Sequence, residues 1–245
     1  MKKDKTIWIY QLAIMGVFLM FISSCYKADK NSIINPPINP TNVPDTLTDF
    51  DGNVYHTVII GTQVWLKENL RVTHYRNGDP IKNETNNQKW ITLTTGAYCN
   101  FDNDTNSIIG YGRLYNWHAV HDTRDIAPSG CRVATDEDWK TLVNFIGGVD
   151  TAGGKLKEIG NTHWFSPNTG ATNSSGFTAL PAGCRTHDGS YTERGYYAYW
   201  WTSTEFSDNS GAWGRRIDYN FKRVQLMAML KYYGLSIRCV MVKFY

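Results

Sequence analysis

The chain contains 245 residues, with 25 Lys and Arg against 22 Asp and Glu, so its formal net charge is only +3. A charge this close to balance does not provide the basic surface on which nucleic-acid binding depends, and no DNA-binding motif is present, so we expect no nucleic-acid partner. With 15 Tyr, 9 Trp and 21 Gly, the composition is typical of a strand-rich exported module.

The chain begins with a basic head and an apolar run. Lys2, Lys3 and Lys5 precede a nearly unbroken apolar stretch, 7–22, and small residues then lead into Cys25. This pattern predicts a lipoprotein signal peptide over 1–24, with Cys25 as the lipidated first residue of the mature chain. The apolar run of about 16 residues is shorter than the roughly 20 that span a bilayer, which disfavours an uncleaved anchor. Secretion without lipid is the remaining alternative.

Residues 25–45 have the composition of a tether. Pro36, Pro37, Pro40 and Pro44 stand among Asn, Ser and Thr, with no apolar period. Such a segment stays extended and holds a domain away from its anchor. We therefore predict a lipid-anchored protein of the cell envelope, at the outer membrane or cell surface, with a single domain over 46–245.

The domain opens with a predicted hairpin. Asp51-Gly52 lies between the apolar segments 47–50 and 54–60, and a turn at Gly61 leads into a third strand, 63–66.

The clearest helix begins at Thr135, whose hydroxyl suits an N-cap. Apolar residues at Trp139, Leu142, Val143 and Ile146 then fall on one face, and two glycines end the helix. A shorter helix is expected over 152–158.

Strand patterns dominate the rest of the chain, at 176–180, 196–202, 212–218, 224–229 and 235–242. Strands, then helices, then antiparallel strands favour the α+β class, with one or two short helices.

Tyr197, Tyr199 and Trp200 belong to the densest aromatic run of the chain. Because alternate residues of a strand face opposite sides, about half of the run should pack in the core. The other half could stack on a sugar or anchor a protein partner. We take these three as candidate ligand-binding residues and expect Trp201 in the core.

Four cysteines remain beside Cys25, namely Cys99, Cys131, Cys184 and Cys239. An even number in an exported chain favours two disulfides, with all three pairings open, and buried free thiols are the alternative. No CxxC is present, which disfavours a zinc ribbon or a thioredoxin-like site.

No metal or cofactor is expected. His118 and His121 could share a metal, but no HExxH arrangement or third ligand accompanies them, so a structural role is favoured. The Asp102–Asn106 loop spaces its oxygens like a calcium loop, yet Ser107 and Arg113 stand where an EF-hand needs Gly and Glu.

Several motifs occur in the order typical of one family. They are Gly61-Thr62-Gln63-Val64-Trp65-Leu66, Glu68-Asn69-Leu70, Tyr111-Gly112-Arg113-Leu114-Tyr115-Asn116-Trp117, Pro128-Ser129-Gly130, Ala152-Gly153-Gly154-Lys155-Leu156-Lys157, Gly176-Phe177-Thr178-Ala179-Leu180-Pro181-Ala182-Gly183, Trp201-Thr202-Ser203-Thr204-Glu205 and Ser236-Ile237-Arg238-Cys239-Val240. From about residue 46 to 242 the chain resembles the Fibrobacter succinogenes major paralogous domain. Proteins of that family are exported and often lipid-anchored, and the family has no established biochemical activity.

Residues 132–139 and 237–239 are also similar to the formylglycine-generating enzyme superfamily. That similarity implies a C-type-lectin-like domain. The closely spaced cysteine pair of those enzymes is missing, and so are the Glu-Pro-Asn, Gln-Pro-Asp and Trp-Asn-Asp tripeptides of calcium-dependent lectins. The resemblance therefore implies neither activity.

The chain departs from the family pattern at two cysteines. Cys131 follows Pro128-Ser129-Gly130 where the family often has Trp, and Cys184 stands where it often has Tyr. Two cysteines at usually aromatic positions imply the pair Cys131–Cys184, which leaves Cys99–Cys239.

The sequence thus favours a lipid-anchored binding or adhesion module, not an enzyme, with a glycan or an envelope or host protein as ligand. One alternative is a structural subunit of a surface assembly, which would need an exposed strand edge or apolar patch near 221–230. A hydrolytic or metal-dependent enzyme would need a pocket with converging carboxylates or a histidine site.

Overall fold

The computed structural model describes residues 42–242, so the predicted signal peptide, Cys25 and most of the predicted tether lie outside the described residues. The described chain forms strands β1 Thr46–Thr48, β2 Val54–Ile60, β3 Gln63–Leu66, β4 Lys82–Asn83, β5 Ala97–Cys99, β6 Leu114–Tyr115, β7 Cys131–Val133, β8 Cys184–Arg185, β9 Tyr191–Thr192, β10 Tyr197–Glu205, β11 Gly211–Asp218, β12 Val224–Leu230, β13 Ser236–Ile237 and β14 Cys239–Met241. Its helices are α1 Asn87–Trp90, α2 Ile108–Tyr111, α3 Trp117–Val120, α4 Asp136–Phe145 and α5 Val149–Leu156. None of the described helices is long and apolar enough to cross a membrane.

The first sheet has the order β1-β2-β3-β14-β7 and is antiparallel throughout. The predicted hairpin is confirmed, with Leu47 opposite Tyr55 and Gly52 in the left-handed conformation at φ 79°. Buried Asp49 fixes the turn, because its carboxylate accepts from the Asn53 amide and the Tyr55 hydroxyl. β1 and β14 run in opposite directions, so the start of β1 and the end of β14 lie at the same end of this sheet.

The second sheet has the order β12-β11-β10-β13. Antiparallel pairing joins β10, β11 and β12, whereas β13 lies parallel to β10. Only Arg238 separates β13 from β14, so the chain passes from the second sheet into the first across this one residue. Small two- and three-stranded sheets, β8-β9 and β4-β5-β6, complete the domain.

Helix α4 confirms the prediction made from its sequence. Thr135 caps it, and the Asp138 carboxylate reaches back to the Thr135 amide to complete a capping box. Its apolar face buries Trp139, which contacts the Trp65 ring with centroids 5.1 Å apart. The predicted second helix is present but begins earlier than expected, at Val149.

The predicted strand at 176–180 is wrong. Gly176 and Thr178 adopt φ of 73° and 53°, which an extended strand does not allow. Phe177 and Ala179 are nevertheless buried, so the alternating apolar pattern was real but belongs to a loop.

Lys157 holds the segment after α5 in place. It is fully buried, and its ammonium donates to the carbonyls of Thr169, Asp218 and Phe221 at 2.9, 3.0 and 3.0 Å. It therefore ties this segment to the turn between β11 and β12. The described chain is mixed α+β with mostly antiparallel strands, which confirms the predicted class.

Candidate functional site

One face of the second sheet carries the half-exposed end of the aromatic run. Strand alternation turns Tyr197 and Tyr199 toward this face, while Trp200 points the other way. The register places Arg216 opposite Tyr199 and Gln225 opposite Arg216. We call this surface, with Glu193 and Tyr233 at its border, the tyrosine face.

Arg216 is the cation of the tyrosine face. Its Nε and Nη2 donate to Gln225 Oε1 at 2.8 and 2.5 Å, and the guanidinium lies 4.9 Å from the centroid of the Tyr197 ring. No carboxylate of the described chain forms an ion pair with Arg216. The guanidinium is therefore held over an aromatic ring, half-buried and without a neutralising partner.

Glu193 is the acceptor of the tyrosine face. The Tyr199 hydroxyl donates to its Oε2 at 2.5 Å, and the Cys184 thiol lies 4.0 Å from the same oxygen. Burial and the Glu193 carboxylate raise the pKa of Tyr199 well above its usual range, so the phenol stays a donor. The other oxygen, Oε1, has no hydrogen-bond partner among the described residues.

Tyr233 adds a second half-buried ring. It packs against the core that contains Tyr199, its hydroxyl lies 3.4 Å from His187 Nδ1, and its ring stacks with that of Tyr232. Burial raises the pKa of Tyr233, as do the nearby groups Cys184, Tyr232, Asp188 and Glu193. The ring therefore lies at the border of the tyrosine face, against the core that contains Tyr199.

The tyrosine face combines aromatic rings with one cationic and one anionic side chain. Aromatic rings beside a guanidinium donor and a free carboxylate oxygen match a ligand that carries ring C–H groups and hydroxyls. Cys184 lies beside Glu193, and burial raises the pKa of that thiol to about 12. A thiol held protonated in this way is a poor nucleophile.

The structure separates the three sequence-predicted binding residues. Tyr197 is half-buried at the surface, Tyr199 is 5 % exposed beneath it, and Trp200 is 0 % exposed. The prediction for Trp200 is wrong, because its indole donates to Asn69 at 2.8 Å and packs against Trp139. Trp201 is buried, as expected.

Arg216, Gln225 and Glu193 were not predicted as site residues. Arg216 and Gln225 meet through strand register, which leaves no local signature in the sequence. The one sequence signal was that Gln225 is the single polar residue of an otherwise apolar strand.

All four cysteines are buried free thiols, which contradicts the predicted pairs Cys131–Cys184 and Cys99–Cys239. Their surroundings explain the error. Cys184 contacts Glu193, whereas Cys131 lies beside Cys239 on neighbouring strands, offset by two residues. Cys99 packs in a separate cluster with Trp90 and Leu114.

Clefts also lie elsewhere on the described domain. One of about 220 Å³ is lined by Phe50, His74, Arg76 and Ser129, and His74 Nδ1 lies 2.5 Å from Asp51. Another, of about 260 Å³, lies over Glu68 and Arg238.

Some histidines pair with one carboxylate each, as His74 does with Asp51. The described part of the chain contains no group of three or more His, Cys, Asp or Glu side chains that could hold a metal ion. His121 stacks on Trp117 with ring centroids 4.6 Å apart, and burial, with Lys231 nearby, lowers the pKa of His118. Asp102 and Asn103 both adopt left-handed φ in their loop.

Arg238 brings several of the sequence motifs together. It is 1 % exposed, and its guanidinium donates to Asn69 Oδ1 and to the carbonyls of Leu66, Phe177 and Thr178 at 2.7–3.1 Å. The motifs at 61–66, 68–70, 176–183 and 236–240 therefore meet around one buried cation.

A family model described as Fibrobacter succinogenes major domain matches residues 58–241, which include all four of these motifs. The chain belongs to the Fibrobacter succinogenes major domain family. Comparison with curated proteins and with solved structures gives no match. In this Fibrobacter succinogenes major domain, the motifs gathered at Arg238 serve the fold, whereas Arg216 and Glu193 of the tyrosine face lie outside them.

Proposed function

We propose that this protein is a lipid-anchored module of the cell envelope that binds a glycan through the tyrosine face. The observation that carries the proposal is the arrangement of Tyr197, Arg216 and Glu193, a half-exposed ring beside a guanidinium with no carboxylate partner and a carboxylate with a free oxygen. Sugar hydroxyls accept and donate hydrogen bonds, and sugar C–H faces stack on aromatic rings.

Charge favours a neutral sugar over an acidic one. Arg216 supplies one positive charge, but the Glu193 carboxylate supplies a negative charge at the border of the same face. A carboxylated or sulfated sugar would meet that carboxylate, so a neutral ring with adjacent hydroxyls is the better match.

We also propose a C-type-lectin-like fold for the domain. We place the domain in the C-type-lectin-like group on the similarity of 132–139 and 237–239, with the outer membrane or cell surface as its location. The capped helix after Arg132 and the buried Arg238 support this assignment.

A second role, as a subunit of a surface assembly, is favoured by one observation. The segment near 221–230, where such a role would need an open edge, forms the outermost strand of the second sheet.

The test is a glycan array probed with the full-length chain in detergent, with and without EDTA. We expect saturable binding to a neutral glycan that Tyr197→Ala weakens at least tenfold, about 1.4 kcal/mol. The matched control is Tyr196→Ala, which removes a 43 % exposed ring packed on Phe165, away from Arg216.

Binding that Tyr196→Ala weakens as much as Tyr197→Ala would place the site elsewhere. Absence of saturable binding by the wild type would reject the glycan proposal. Loss of binding with EDTA would reveal a metal requirement.

A further inference from the structure

The outer edge of β12 is open. β12 is the last strand of the second sheet, and its register with β11 runs without a bulge from Gly211–Leu230 to Ile217–Val224. Outside that pairing, the one backbone hydrogen bond found to this strand in the described chain is the turn bond from the Tyr233 amide to the Leu230 carbonyl. Alternate amides and carbonyls along this edge are therefore unpaired.

β12 is unlike the other edge strands of the described domain. β1 and β7 have three residues, and β4, β6, β8, β9 and β13 have two. Proteins protect edges by keeping them short, by charged residues, by proline or by a bulge. β12 has seven residues, Val-Gln-Leu-Met-Ala-Met-Leu, with no charge, no proline and no bulge.

Apolar side chains flank the open edge on both sides. Leu226 and Leu230 are 44 % and 43 % exposed on one face with Ala228 between them. Trp213, opposite Ala228, extends this patch. On the other face Met227 is half-buried. An added strand with alternating apolar residues would cover these side chains.

Charge distinguishes the two ends of the edge. Lys222 and Arg223, just before β12, are exposed and form no ion pair with a described residue. They line a shallow cleft of about 290 Å³ with Phe221 and Asp150. At the far end, Lys231 is already paired with Glu205.

We propose that β12 accepts an extended segment of another protein as a fifth strand. The segment carries apolar residues at alternate positions and acidic residues at the end beside Lys222 and Arg223. Main-chain hydrogen bonds supply affinity and the two cations fix the orientation. A second copy of this chain fits less well. Antiparallel pairing of two β12 strands about Met227 would place Arg223 of one copy next to Lys231 of the other, so two positive charges would meet. Glu205 is already paired with Lys231.

A displayed library of random peptides tests this, selected on the full-length chain in detergent. We expect enriched peptides with alternating apolar residues and acidic residues at one end. Ala228→Lys, which places a charge on the open edge, should weaken their binding at least tenfold. The matched control Ile59→Lys alters an exposed apolar residue of β2, a strand paired on both edges, and should leave binding unchanged.

Two further measurements examine the geometry. N-methylation of one alternate set of peptide amides should abolish binding, and methylation of the other set should not. Lys222→Glu combined with Arg223→Glu should reverse the preference to basic peptides. If Ala228→Lys fails to fold, as judged by circular dichroism, Leu226→Lys replaces it.

Three outcomes would overturn the proposal. They are no enrichment over the Ala228→Lys variant, equal binding of both methylated forms, or a wild-type dimer in sedimentation that Ala228→Lys converts to a monomer. The last result would assign the edge to a second copy.

Discussion

At the scale of single residues, the buried Lys157 ammonium binds main-chain carbonyls of the domain. Four carbonyls from two separate segments converge on its ammonium, and the Trp164 ring lies 5.5 Å away. It has no ion pair with a carboxylate in the described structure. Burial accordingly lowers its pKa to about 8.

We expect Lys157→Met to lower the free energy of unfolding by about 2–4 kcal/mol, because the buried carbonyls lose their donor. Lys155→Met, two residues earlier and half-buried, should change it by less than about 0.5 kcal/mol. Urea unfolding of both variants checks this. If Lys157→Met lost no more unfolding free energy than Lys155→Met, the carbonyls would have found other donors.

The four thiols predict alkaline instability. Burial raises the pKa of Cys99 to about 11 and those of Cys131 and Cys184 to about 12, and it raises that of Cys239 as well. Above pH 9 the unfolded chain loses protons that the native chain retains, so the stability from these groups is lost as pH rises. Lys157 acts in the opposite direction above pH 8, because its folded pKa is lowered.

The test compares how steeply the unfolding free energy changes with pH in the wild type and in a cysteine variant. Lys157 is present in both, so its contribution cancels. Between pH 9 and 11, the unfolding free energy of Cys131→Ala should fall less steeply than that of the wild type, by up to about 1.4 kcal/mol per pH unit. Identical slopes, or no titratable thiol in the unfolded wild type, would contradict the free-thiol structure.

At the scale of elements, local signals were sufficient where an element depends on its own residues. The hairpin at Gly52 and the cap at Thr135 were predicted because turn and cap chemistry lies within a few residues. The loop at 176–180 was mistaken for a strand because burial alternates there for a non-local reason: Arg238 binds its carbonyls. Of the tyrosine face, Tyr197 and Tyr199 were predicted from the sequence. Arg216 was not, because strand register brings it to this face and register leaves no local signal.

The capping box of α4 gives a prediction at this scale. Thr135→Ala removes the acceptor for the Asp138 amide and should cost about 1 kcal/mol. Thr151→Ala, on the exposed side of α5, should cost less than about 0.5 kcal/mol. Thermal unfolding followed at 222 nm measures both. A smaller loss at Thr135 than at Thr151 would show that Arg132, which pairs with Asp138, holds the helix start instead.

At the scale of the whole molecule, Arg238 couples the two sheets. It stands at the crossing between β13 and β14 and binds oxygens from β3, the segment after it and the loop at 177–178. The sheets should therefore unfold together.

Arg238→Met should cost roughly 3–5 kcal/mol, because several buried oxygens lose one shared donor. Arg238→Lys should not restore the wild-type value, since the compact ammonium of lysine lacks the planar fork with which the guanidinium reaches all four oxygens. Arg71→Met, which removes a half-buried guanidinium near the surface, should cost less than about 1 kcal/mol.

Tryptophan fluorescence and far-ultraviolet circular dichroism should give coincident wild-type transitions. Separate transitions in the wild type would show that the sheets unfold independently.

Mechanical load on this domain would fall unevenly on the two ends of the chain. The start of β1 and the end of β14 lie at one end of the first sheet, three strand spacings apart, or about 14 Å. β14 is paired with β3 and β7 on its two edges, whereas β1 is a three-residue edge strand that pairs only with β2 in the described sheet. Tension applied at residue 42 would therefore separate β1 from β2 first, so the domain would lengthen while the second sheet stayed intact.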